Sequence, residues 1–565
     1  MKGYFMYFFV AVLLFWLFWA LPFWGMPFNH TRHSEIPHTP AWALECWLWE
    51  DDINTAERVW ELLDGYKKYD IPVRTILIDS PWSTRYNDFA VDTVRYPKPK
   101  EFFTDLQDND YRVVLWMTTM VNYYSKDTRI QNSQQWFNHA KGNGFLIGNG
   151  YEFDWWKGDG GLIDYTNPKA MKWWCGMQQP LFDWGIDGWK LDGTSTFFSS
   201  KLGKIPIPYQ KTHAGWMTTR GYMDHYYRDE YKHGISQNSE FITLSRSVDQ
   251  GGHPEGFAPL DAAPVSWVGD QDHAWNIENE GIEEAIRDIL KSAELGYGVI
   301  GSDVGGYSAR DSFPAEIYIR WAEFSTFCGL FLNGGHGERR LWKRSNEELE
   351  IIRKYSWLHT ELIPYIYSAL EDQRQGGQTL MKPVSGKYQY LFGKDLLVAP
   401  IYEPGSRRKV KFPKGTWAYF FNEEIKYTGH TEIEMDFPID EFPVFVRDGS
   451  IIPMNISRSY TGFGDENSIG CLTLNVYGGI DTKRDFTLPE DDRKLHVAIK
   501  TVNNRCEINT SGDELPLIFN IFTDLPPTTV EFNETRLTSN SDWYYDEARK
   551  CLRVKKMNYK TGIVN

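Results

Sequence analysis

Short apolar segments alternate with amphipathic segments along the first two thirds of the chain. Eight segments combine apolar and β-branched residues over the length of a single strand, at residues 41–47, 75–81, 112–117, 188–193, 242–247, 266–271, 297–303 and 329–335. Residues 55–69 and 278–295 instead carry apolar side chains at helical spacing. Continuous apolar strands joined by helices predict a parallel sheet that is covered on both faces.

Eight repeats of a strand followed by a helix predict a closed (β/α)8 barrel, the TIM barrel of the α/β class. A doubly wound sheet would carry a glycine-rich phosphate loop after its first strand, and the sequence has none there. Two connections are unusually long, residues 118–166 after the third strand and residues 195–231 after the fourth. Long loops on this face of a barrel commonly form the substrate site. A last helical region is predicted over residues 349–374.

From about residue 382 the pattern changes to short β-like segments separated by turn residues, at 388–392, 396–401, 409–412 and 444–447. This pattern of short segments and turns predicts antiparallel β structure. We therefore expect a catalytic barrel over residues 40–381, a proximal β-sandwich over 382–458 and a distal β domain over 459–565. A chain of 565 residues is long enough for this number of domains.

The N-terminal segment is apolar from residue 4 to residue 28, about the length of a membrane span. Its length and the lack of an obvious cleavage site favour an uncleaved signal anchor over residues 1–30, with a cleaved signal peptide as the alternative. Either one predicts a protein of the secretory pathway, membrane-anchored or secreted, whose catalytic part is lumenal or extracellular. Four glycosylation sequons agree with a glycoprotein, at Asn29, Asn455, Asn509 and Asn533.

Composition narrows the range of partners. The net charge of −16 argues against nucleic acid, whose phosphates would be repelled. The 24 tryptophans fit either a tryptophan-rich core or recognition of carbohydrate, because the apolar face of a pyranose packs on indole. The six cysteines are scattered without a CxxC pair or a His/Cys cluster, which leaves room for one or two disulfides but predicts no structural zinc. We expect no cofactor.

Polar residues follow six of the predicted strands, at the ends that meet in the mouth of a barrel. They are Asp79 after the second strand, Asp192 after the fourth, Arg246 after the fifth, Asp270 after the sixth, Asp303 after the seventh and His336 after the eighth. A single aspartate in such a place is usually a helix cap or a turn residue. Polar residues at the corresponding ends of six strands instead predict a functional site. The four acids lie on four different strands, whereas Mg²⁺ or Ca²⁺ needs several oxygen ligands close together. This arrangement fits a sugar-binding site better than a metal-binding site.

Asp192 and Asp270 are the predicted catalytic pair. Their strands are next-but-one neighbours in a barrel, so their carboxylates are expected about 5 to 6 Å apart, as in a retaining glycosidase. In that mechanism Asp192 attacks the anomeric carbon, while Asp270 protonates the leaving group and then deprotonates water. Lys190 points to the same face as Asp192, and it would either favour the ionised nucleophile or form a structural ion pair.

These residues, in this order, resemble glycoside hydrolase family 31 over most of residues 41–455. The motifs that carry the resemblance are Trp189-Lys190-Leu191-Asp192, Leu244-Ser245-Arg246-Ser247, Trp267-Val268-Gly269-Asp270, Ser302-Asp303-Val304-Gly305-Gly306-Tyr307, Arg320-Trp321, His336, Leu362-Ile363-Pro364-Tyr365-Ile366-Tyr367, Asp395-Leu396-Leu397-Val398-Ala399-Pro400 and Phe442-Pro443-Val444-Phe445-Val446-Arg447-Asp448-Gly449-Ser450. The resemblance implies a retaining α-glycosidase with Asp192 as nucleophile and Asp270 as acid/base. It also implies that Arg246, Asp303 and His336 hold the sugar.

The sequence departs from the family pattern in three respects. The family's usual N-terminal β-sandwich is not expected, because the apolar segment runs almost directly into the first strand; the long loop after the third strand would replace its wall of the pocket. Pro81 stands two residues after Asp79, where α-glucosidase-like members carry an acid. Trp82 and the segment Arg85-Tyr86-Asn87-Asp88 are more similar to members that act on galactose-type sugars, including a membrane-anchored animal branch. Gly193-Thr194 follows the nucleophile where many members carry a glutamate.

We therefore predict a retaining, exo-acting α-glycosidase that hydrolyses α-galactosides or α-glucosides. Its carbohydrate substrate is expected to contact Asp79, Trp82, Trp116, Lys190, Arg246, Trp267, Asp303 and His336. An α-transglycosylase is an open alternative, since a sugar hydroxyl can take the place of water at the same two aspartates. A non-catalytic, membrane-tethered carbohydrate-binding protein is a further alternative, disfavoured because both required carboxylates are present.

Overall fold

The computed structural model describes residues 2–16, 35–193, 209–248, 257–308, 313–478, 481–502 and 505–558. Eight parallel strands form one sheet: β1 (Trp47–Leu48), β2 (Thr75–Ile78), β3 (Arg112–Met117), β4 (Gly188–Leu191), β5 (Ile242–Arg246), β6 (Val265–Val268), β7 (Ile300–Ser302) and β8 (Leu332–Asn333). The strands pair in chain order, and β8 pairs with β1. A parallel bridge between Asp303 and Leu332 joins β7 to β8 and brings the barrel close to full closure. The predicted (β/α)8 fold is confirmed.

The barrel strands are buried on both faces, as their continuous apolar character predicts. Every residue of β2, β4, β5, β6 and β7 is buried. The helices around them lie at Ala56–Lys68, Pro99–Asp108, Gln134–Gly142, Pro168–Asp183, Thr219–Gln237, Ile282–Glu294, Ala315–Thr326, Asn346–Glu361 and Ile363–Arg374. Because helices cover the sheet from outside, polar side chains find water or each other only at the two ends of the barrel.

The helix predicted over residues 55–69 is confirmed as Ala56–Lys68. Thr55 caps its N-terminus by accepting a hydrogen bond from the backbone N–H of Arg58, and Val59, Leu62 and Leu63 form its buried face. The predicted helix over residues 278–295 is present as Ile282–Glu294. The helical region predicted over residues 349–374 consists of two helices that meet at Leu362, with a proline in the first turn of the second.

The first strand is misplaced in the sequence prediction. Residues 41–47 were expected to be extended, but Ala41–Leu44 forms a 3₁₀ turn and β1 contains only Trp47–Leu48. Trp42 and Leu44 are nevertheless buried, and Trp42 stacks on Trp47 with ring centroids 6.3 Å apart. The apolar character of this segment therefore reflects burial beside the barrel and not extended structure. As a result, the acidic residues at positions 50–52 follow the end of β1.

Two insertions extend from the C-terminal ends of β3 and β4. After β3, the strands Met120–Ser125, Phe153–Trp155 and Gly158–Leu162 form an antiparallel sheet, called here the insertion sheet. After β4, residues 194–208 lie outside the described residues, and the hairpin Tyr209–Thr212 and Gly215–Thr218 precedes the next helix. Both long connections therefore contribute regular structure near the mouth of the barrel.

The chain after the barrel is built from β-sheets, as predicted. A six-stranded antiparallel sheet contains Met381–Pro383, Tyr390–Phe392, Leu396–Val398, Val444–Arg447, Thr416–Tyr419 and Asn422–Thr428, and Arg407–Lys411 pairs with Glu432–Asp436. Two five-stranded sheets follow and share one hydrophobic core. The first contains Ser450–Met454, Leu472–Tyr477, Pro516–Phe522, Cys551–Asn558 and Trp543–Asp546; the second contains Asp481–Thr487, Lys494–Val502, Arg505–Gly512, Thr529–Phe532 and Thr535–Arg536. Each also includes one parallel pair.

At the N-terminus, the helix Lys2–Phe15 covers the first part of the predicted anchor. Residues 17–34, which include the rest of that segment and the sequon at Asn29, lie outside the described residues. Among the helices that the structure describes, none combines the length and the apolar character needed to cross a membrane. All six cysteines lie in described ranges, and each has a free thiol.

Candidate active site

The six predicted strand-end residues lie at the C-terminal mouth of the barrel, and three of them come from three neighbouring strands. Asp192 follows β4 directly, Arg246 is the last residue of β5, and Asp270 lies two residues beyond β6. Parallel pairing sets β5 between β4 and β6, with Leu191 opposite Ser245 and Trp267 opposite Arg246. This register places the arginine between the two carboxylates.

Arg246 binds both predicted catalytic carboxylates at once. Its Nε donates to Oδ1 of Asp192 at 2.9 Å, and its Nη2 donates to Oδ2 of Asp270 at 2.6 Å. Since neighbouring nitrogens of a guanidinium are about 2.3 Å apart, the two carboxylate oxygens lie at most about 8 Å from each other. The separation of about 5 to 5.5 Å in retaining glycosidases falls within this limit. Two acids joined by one cation can therefore act on one glycosidic bond.

Asp192 is held in its ionised form. Burial opposes the charge, but Arg246 and then Lys190 outweigh it and lower the pKa of Asp192 from 3.8 to about 2. The indole N–H of Trp116 donates to the second oxygen, Oδ2, at 3.1 Å. A carboxylate with a low pKa, fixed at both oxygens, suits a nucleophile.

Asp270 is more open to solvent than Asp192: 49% of its side chain is exposed, against 12% for Asp192. Its backbone has φ of +70°, which turns the chain sharply at the end of β6. A Cβ on the preceding Gly269 would lie 2.4 Å from the indole nitrogen of Trp267 and 2.9 Å from Nη1 of Arg246. The glycine therefore lets the chain approach the arginine closely, and Asp270 occupies the outer, more exposed side of the arginine.

Lys190 lies deeper in the mouth. Its Nζ donates to Oδ2 of Asp79 at 2.8 Å and lies over the rings of Trp49, at 4.1 Å, and Trp267, at 5.3 Å. Burial lowers the pKa of Lys190, but the carboxylates of Asp79, Asp303 and Asp192 raise it more, so the ammonium stays charged. The two interpretations offered from the sequence are compatible, because Lys190 pairs with Asp79 and also lowers the pKa of Asp192.

Asp303 adds a third buried acid to this group. Its burial, opposed first by Lys190, raises the pKa of Asp303 to about 7. Among the residues that the structure describes, none donates a hydrogen bond to its buried Oδ1. A buried acceptor without a donor is costly, and a sugar hydroxyl would satisfy it.

His336 lies at the rim with two acids that sequence analysis missed. Its Nδ1 is 2.7 Å from Oδ1 of Asp52, and the hydroxyl of Tyr307 donates to Oδ2 of Asp51 at 2.8 Å. Burial, and then the charge of Asp79, raise the pKa of Asp51 to about 6. Asp51 follows β1, so the rule that identified the other strand ends would have found it if β1 had been predicted at Trp47–Leu48.

The predicted aromatic contacts are all buried. Trp116 and Trp267 flank Asp192 and Arg246, since the indole of Trp116 bonds Asp192 and the guanidinium of Arg246 lies 4.8 Å from the ring of Trp267. Trp82 donates its indole N–H to the carbonyl oxygen of Trp116 at 2.7 Å, so this nitrogen already has a partner. Within the described ranges, no three His, Cys, Asp or Glu side chains form a group that could hold a metal ion.

Comparison with known proteins identifies two family domains in the chain. A model of the glycosyl hydrolases family 31 TIM-barrel domain matches residues 36–369, and a model of the glycosyl hydrolase family 31 C-terminal domain matches residues 374–452. The first match alone spans more than half of the chain, from before β1 to the end of the barrel.

Curated relatives are similar at about a quarter identity. An alpha-glucosidase 2 of Bacillus thermoamyloliquefaciens is 25% identical over 483 residues, covering 81% of this chain and 58% of the relative. An isomaltosyltransferase of Sporosarcina globispora is 26% identical over 598 residues, covering 91% of this chain and 52% of the relative. The chain thus spans just over half the length of these two relatives.

A solved structure supports the fold. The dextranase of Flavobacterium johnsoniae, determined in complex with glucose, matches 93% of this chain and 70% of its own, with a TM-score of 0.80 at 23% identity. Barrel and β-sheet regions are both included in an alignment of this extent.

Proposed function

The chain belongs to glycoside hydrolase family 31, and from this premise we propose that it is a retaining, exo-acting α-glycosidase. Asp192 is the proposed nucleophile and Asp270 the proposed acid/base. The observation that carries the proposal is the bridge from Arg246 to both carboxylates, with Asp192 buried and Asp270 half exposed. The asymmetry in exposure supports different roles for the two acids.

In the first step, Oδ of ionised Asp192 attacks the anomeric carbon and the glycosidic bond breaks. The proton of Asp270 passes to the departing oxygen, so the leaving group exits as a neutral alcohol. In the second step Asp270, now a carboxylate, takes a proton from water while the hydroxide oxygen displaces Asp192. Two inversions at the same carbon retain the α configuration.

The glycon is proposed to bind in the buried part of the mouth. Lys190, Asp79 and Asp303 lie there together, and their charged side chains can bind the hydroxyls of a sugar ring. Among the described residues none donates a hydrogen bond to Oδ1 of Asp303, so this oxygen can accept one from a sugar hydroxyl. Lys190 lies against the rings of Trp49 and Trp267 at the inner end of the mouth, and a site closed at its inner end would accept a terminal sugar, which supports exo action. The proposed glycon is an α-galactosyl or α-glucosyl unit, and Pro81 in place of a second acid favours the galacto configuration.

Transglycosylation is the second candidate, favoured by the isomaltosyltransferase that is similar over 91% of this chain. It requires the same nucleophile and acid/base. The difference lies only in whether water or a sugar hydroxyl deprotonated by Asp270 attacks the glycosyl-enzyme. Product analysis with and without an added sugar acceptor separates the two outcomes.

A panel of nitrophenyl α- and β-glycosides tests the proposal, with the anomer released first identified by proton NMR. Turnover of an α-galactoside or α-glucoside with the α-anomer appearing first is expected. Asp192→Asn serves as the matched control, because it keeps the shape of the side chain and removes its charge. Release of the β-anomer first, or equal turnover by Asp192→Asn, would contradict the assignment.

A further inference from the structure

Three tryptophans extend from the proposed nucleophile to the surface. Trp116 bonds Asp192, and Trp155 stacks on Trp116 with centroids 6.3 Å apart and an interplanar angle of 8°. Trp156 meets Trp155 edge-on at 5.0 Å. Trp116 and Trp155 are buried, whereas 45% of Trp156 is exposed. The series therefore ends in an indole that faces solvent.

Trp156 lies close to the nucleophile even though it belongs to the insertion sheet. A Cβ built on Gly193, the residue after Asp192, would be 3.7 Å from the Cη2 atom of the Trp156 ring. The residues proposed to hold the glycon are buried, with Asp79 at 5% and Asp303 at 1% exposure. The indole therefore stands on the solvent side of the bond to be cleaved, where the next sugar ring of a substrate would lie.

Hydrogen-bonding side chains accompany the three tryptophans. Asp127 accepts from the hydroxyl of Tyr86 at 2.9 Å and from Nζ of Lys157, the next residue after Trp156, at 2.8 Å. Tyr86 itself packs against both Trp116 and Trp155, with centroids 5.7 Å and 5.3 Å away. A pyranose has apolar faces and an edge of hydroxyls, so an exposed indole in an insertion that also carries hydrogen-bonding side chains suits it.

We propose that the leaving-group sugar, a neutral pyranose joined to the glycon, stacks on Trp156. This residue then sets the affinity of the site for that sugar. The assignment rests on the proposed glycosidase function and adds the side of the bond on which this residue acts. Trp156 positions substrate and takes no part in bond breaking. The insertion sheet thereby supplies a wall of the site from within the barrel domain itself.

The experiment compares two substrates that share a glycon and differ in the leaving group. For a galactosyl enzyme these are α-galactosyl fluoride and the disaccharide melibiose; for a glucosyl enzyme they are α-glucosyl fluoride and isomaltose. Fluoride has no ring to stack, so Trp156→Ala should lower kcat/KM for the disaccharide about 10- to 100-fold and change that for the fluoride less than about 3-fold. The loss should appear mainly in KM, and Trp156→Phe should recover most of it.

Trp216→Ala is the matched control, because Trp216 is an indole 73% exposed on the neighbouring hairpin. It should leave both substrates unaffected. Trp156 lies in the two-residue turn between Phe153–Trp155 and Gly158–Leu162, so the thermal unfolding midpoints of the variants should match the wild type. If Trp156→Ala lowers kcat/KM equally for the fluoride and the disaccharide, or lowers it for neither, the proposal that Trp156 binds the leaving-group sugar is wrong. Failure of the wild-type protein on both substrates would instead refute the proposed glycosidase function.

Discussion

Replacing Arg246 by methionine tests the electrostatics of the site. Methionine keeps much of the apolar volume of the side chain and removes the cation that joins Asp192 to Asp270. The nucleophile must be ionised to attack, so the pH dependence of kcat/KM reports its pKa in the free enzyme. Arg246→Met should therefore change the shape of the pH profile as well as its height.

The size of the change follows from the balance of charges around Asp192. Burial alone raises the pKa of this carboxyl, yet it stands at about 2 instead of 3.8 because Arg246 and Lys190 stabilise the anion. A depression of nearly two units is worth about 2.5 kcal/mol, and removal of a contacting arginine typically raises such a pKa by about 1 to 3 units. In Arg246→Met the pKa of Asp192 should therefore rise to about 4 or higher. The variant should lose activity as the pH falls through this value, whereas the wild-type nucleophile is still ionised there.

The assay measures kcat/KM for an α-glycosyl fluoride, which needs no proton from Asp270, between about pH 3.5 and about pH 7, a range that includes the expected loss of variant activity at about pH 4 or higher. Arg287→Met is the control, because it makes the same charge change on the helix Ile282–Glu294, in a partly exposed side chain paired with Asp288. The ratio of Arg246→Met to Arg287→Met activity should fall steadily towards acid pH. A ratio that is constant over this range would refute the view that Arg246 sets the ionisation of Asp192.

Further predictions concern the other charged groups of the barrel. Asp270→Ala should reduce kcat for disaccharides far more than for glycosides with activated aryl leaving groups, measured as the ratio of the two rates; equal losses would exclude Asp270 as the acid. Lys190→Met leaves Asp79 buried without its ion pair and should lower the free energy of unfolding by about 3 to 5 kcal/mol in urea titrations. Lys98→Met removes a partner of an exposed pair and should leave the free energy of unfolding nearly unchanged. Burial raises the pKa of Glu230 from 4.5 to about 7, so its contribution to stability is present below pH 4.5 and lost as the pH rises through about 7. Glu230→Gln should flatten the decline in unfolding free energy between about pH 5 and about pH 8, whereas Glu240→Gln at the surface should leave that decline unchanged.

The barrel and its strand-end residues were predictable because their signals are local. Continuous apolar strands such as Arg112–Met117 appear at their full length in the sequence. Asp192, Arg246 and Asp270 lie at or within two residues of the ends of three such strands, and finding them there needs no knowledge of distant residues. Parallel pairing then brings these ends together automatically. For this reason the sequence alone predicts that Asp192, Arg246 and Asp270 share one site.

The missed features depend on contacts between segments far apart in the chain. The segment Ala41–Leu44 is apolar because it is buried, and its turn conformation is not distinguishable from a strand by periodicity over so few residues. The shift of β1 concealed Asp51 and Asp52. Trp156 likewise has no sequence signal of its own, since its position beside Gly193 is created by the folding of the insertion sheet over the mouth.

The buried tryptophans show why composition alone could not assign carbohydrate binding. Trp82 and Trp267 are both buried, and their contact with sugar stays a prediction. The indole of Trp82 donates to the backbone of Trp116, and the ring of Trp267 lies against the charged side chains of Arg246 and Lys190. Only the burial of each ring in the folded chain separates such a supporting tryptophan from an exposed one such as Trp156.

Trapping the covalent intermediate tests the central claim most directly. A 5-fluoro-α-glycosyl fluoride of the accepted glycon should glycosylate the wild-type protein once, with release of the anomeric fluoride, and mass spectrometry of the peptides should locate the label on Asp192. Asp192→Asn should remain unlabelled under the same conditions. Label on another carboxylate, or full turnover without any glycosyl-enzyme and with inverted product, would contradict the account.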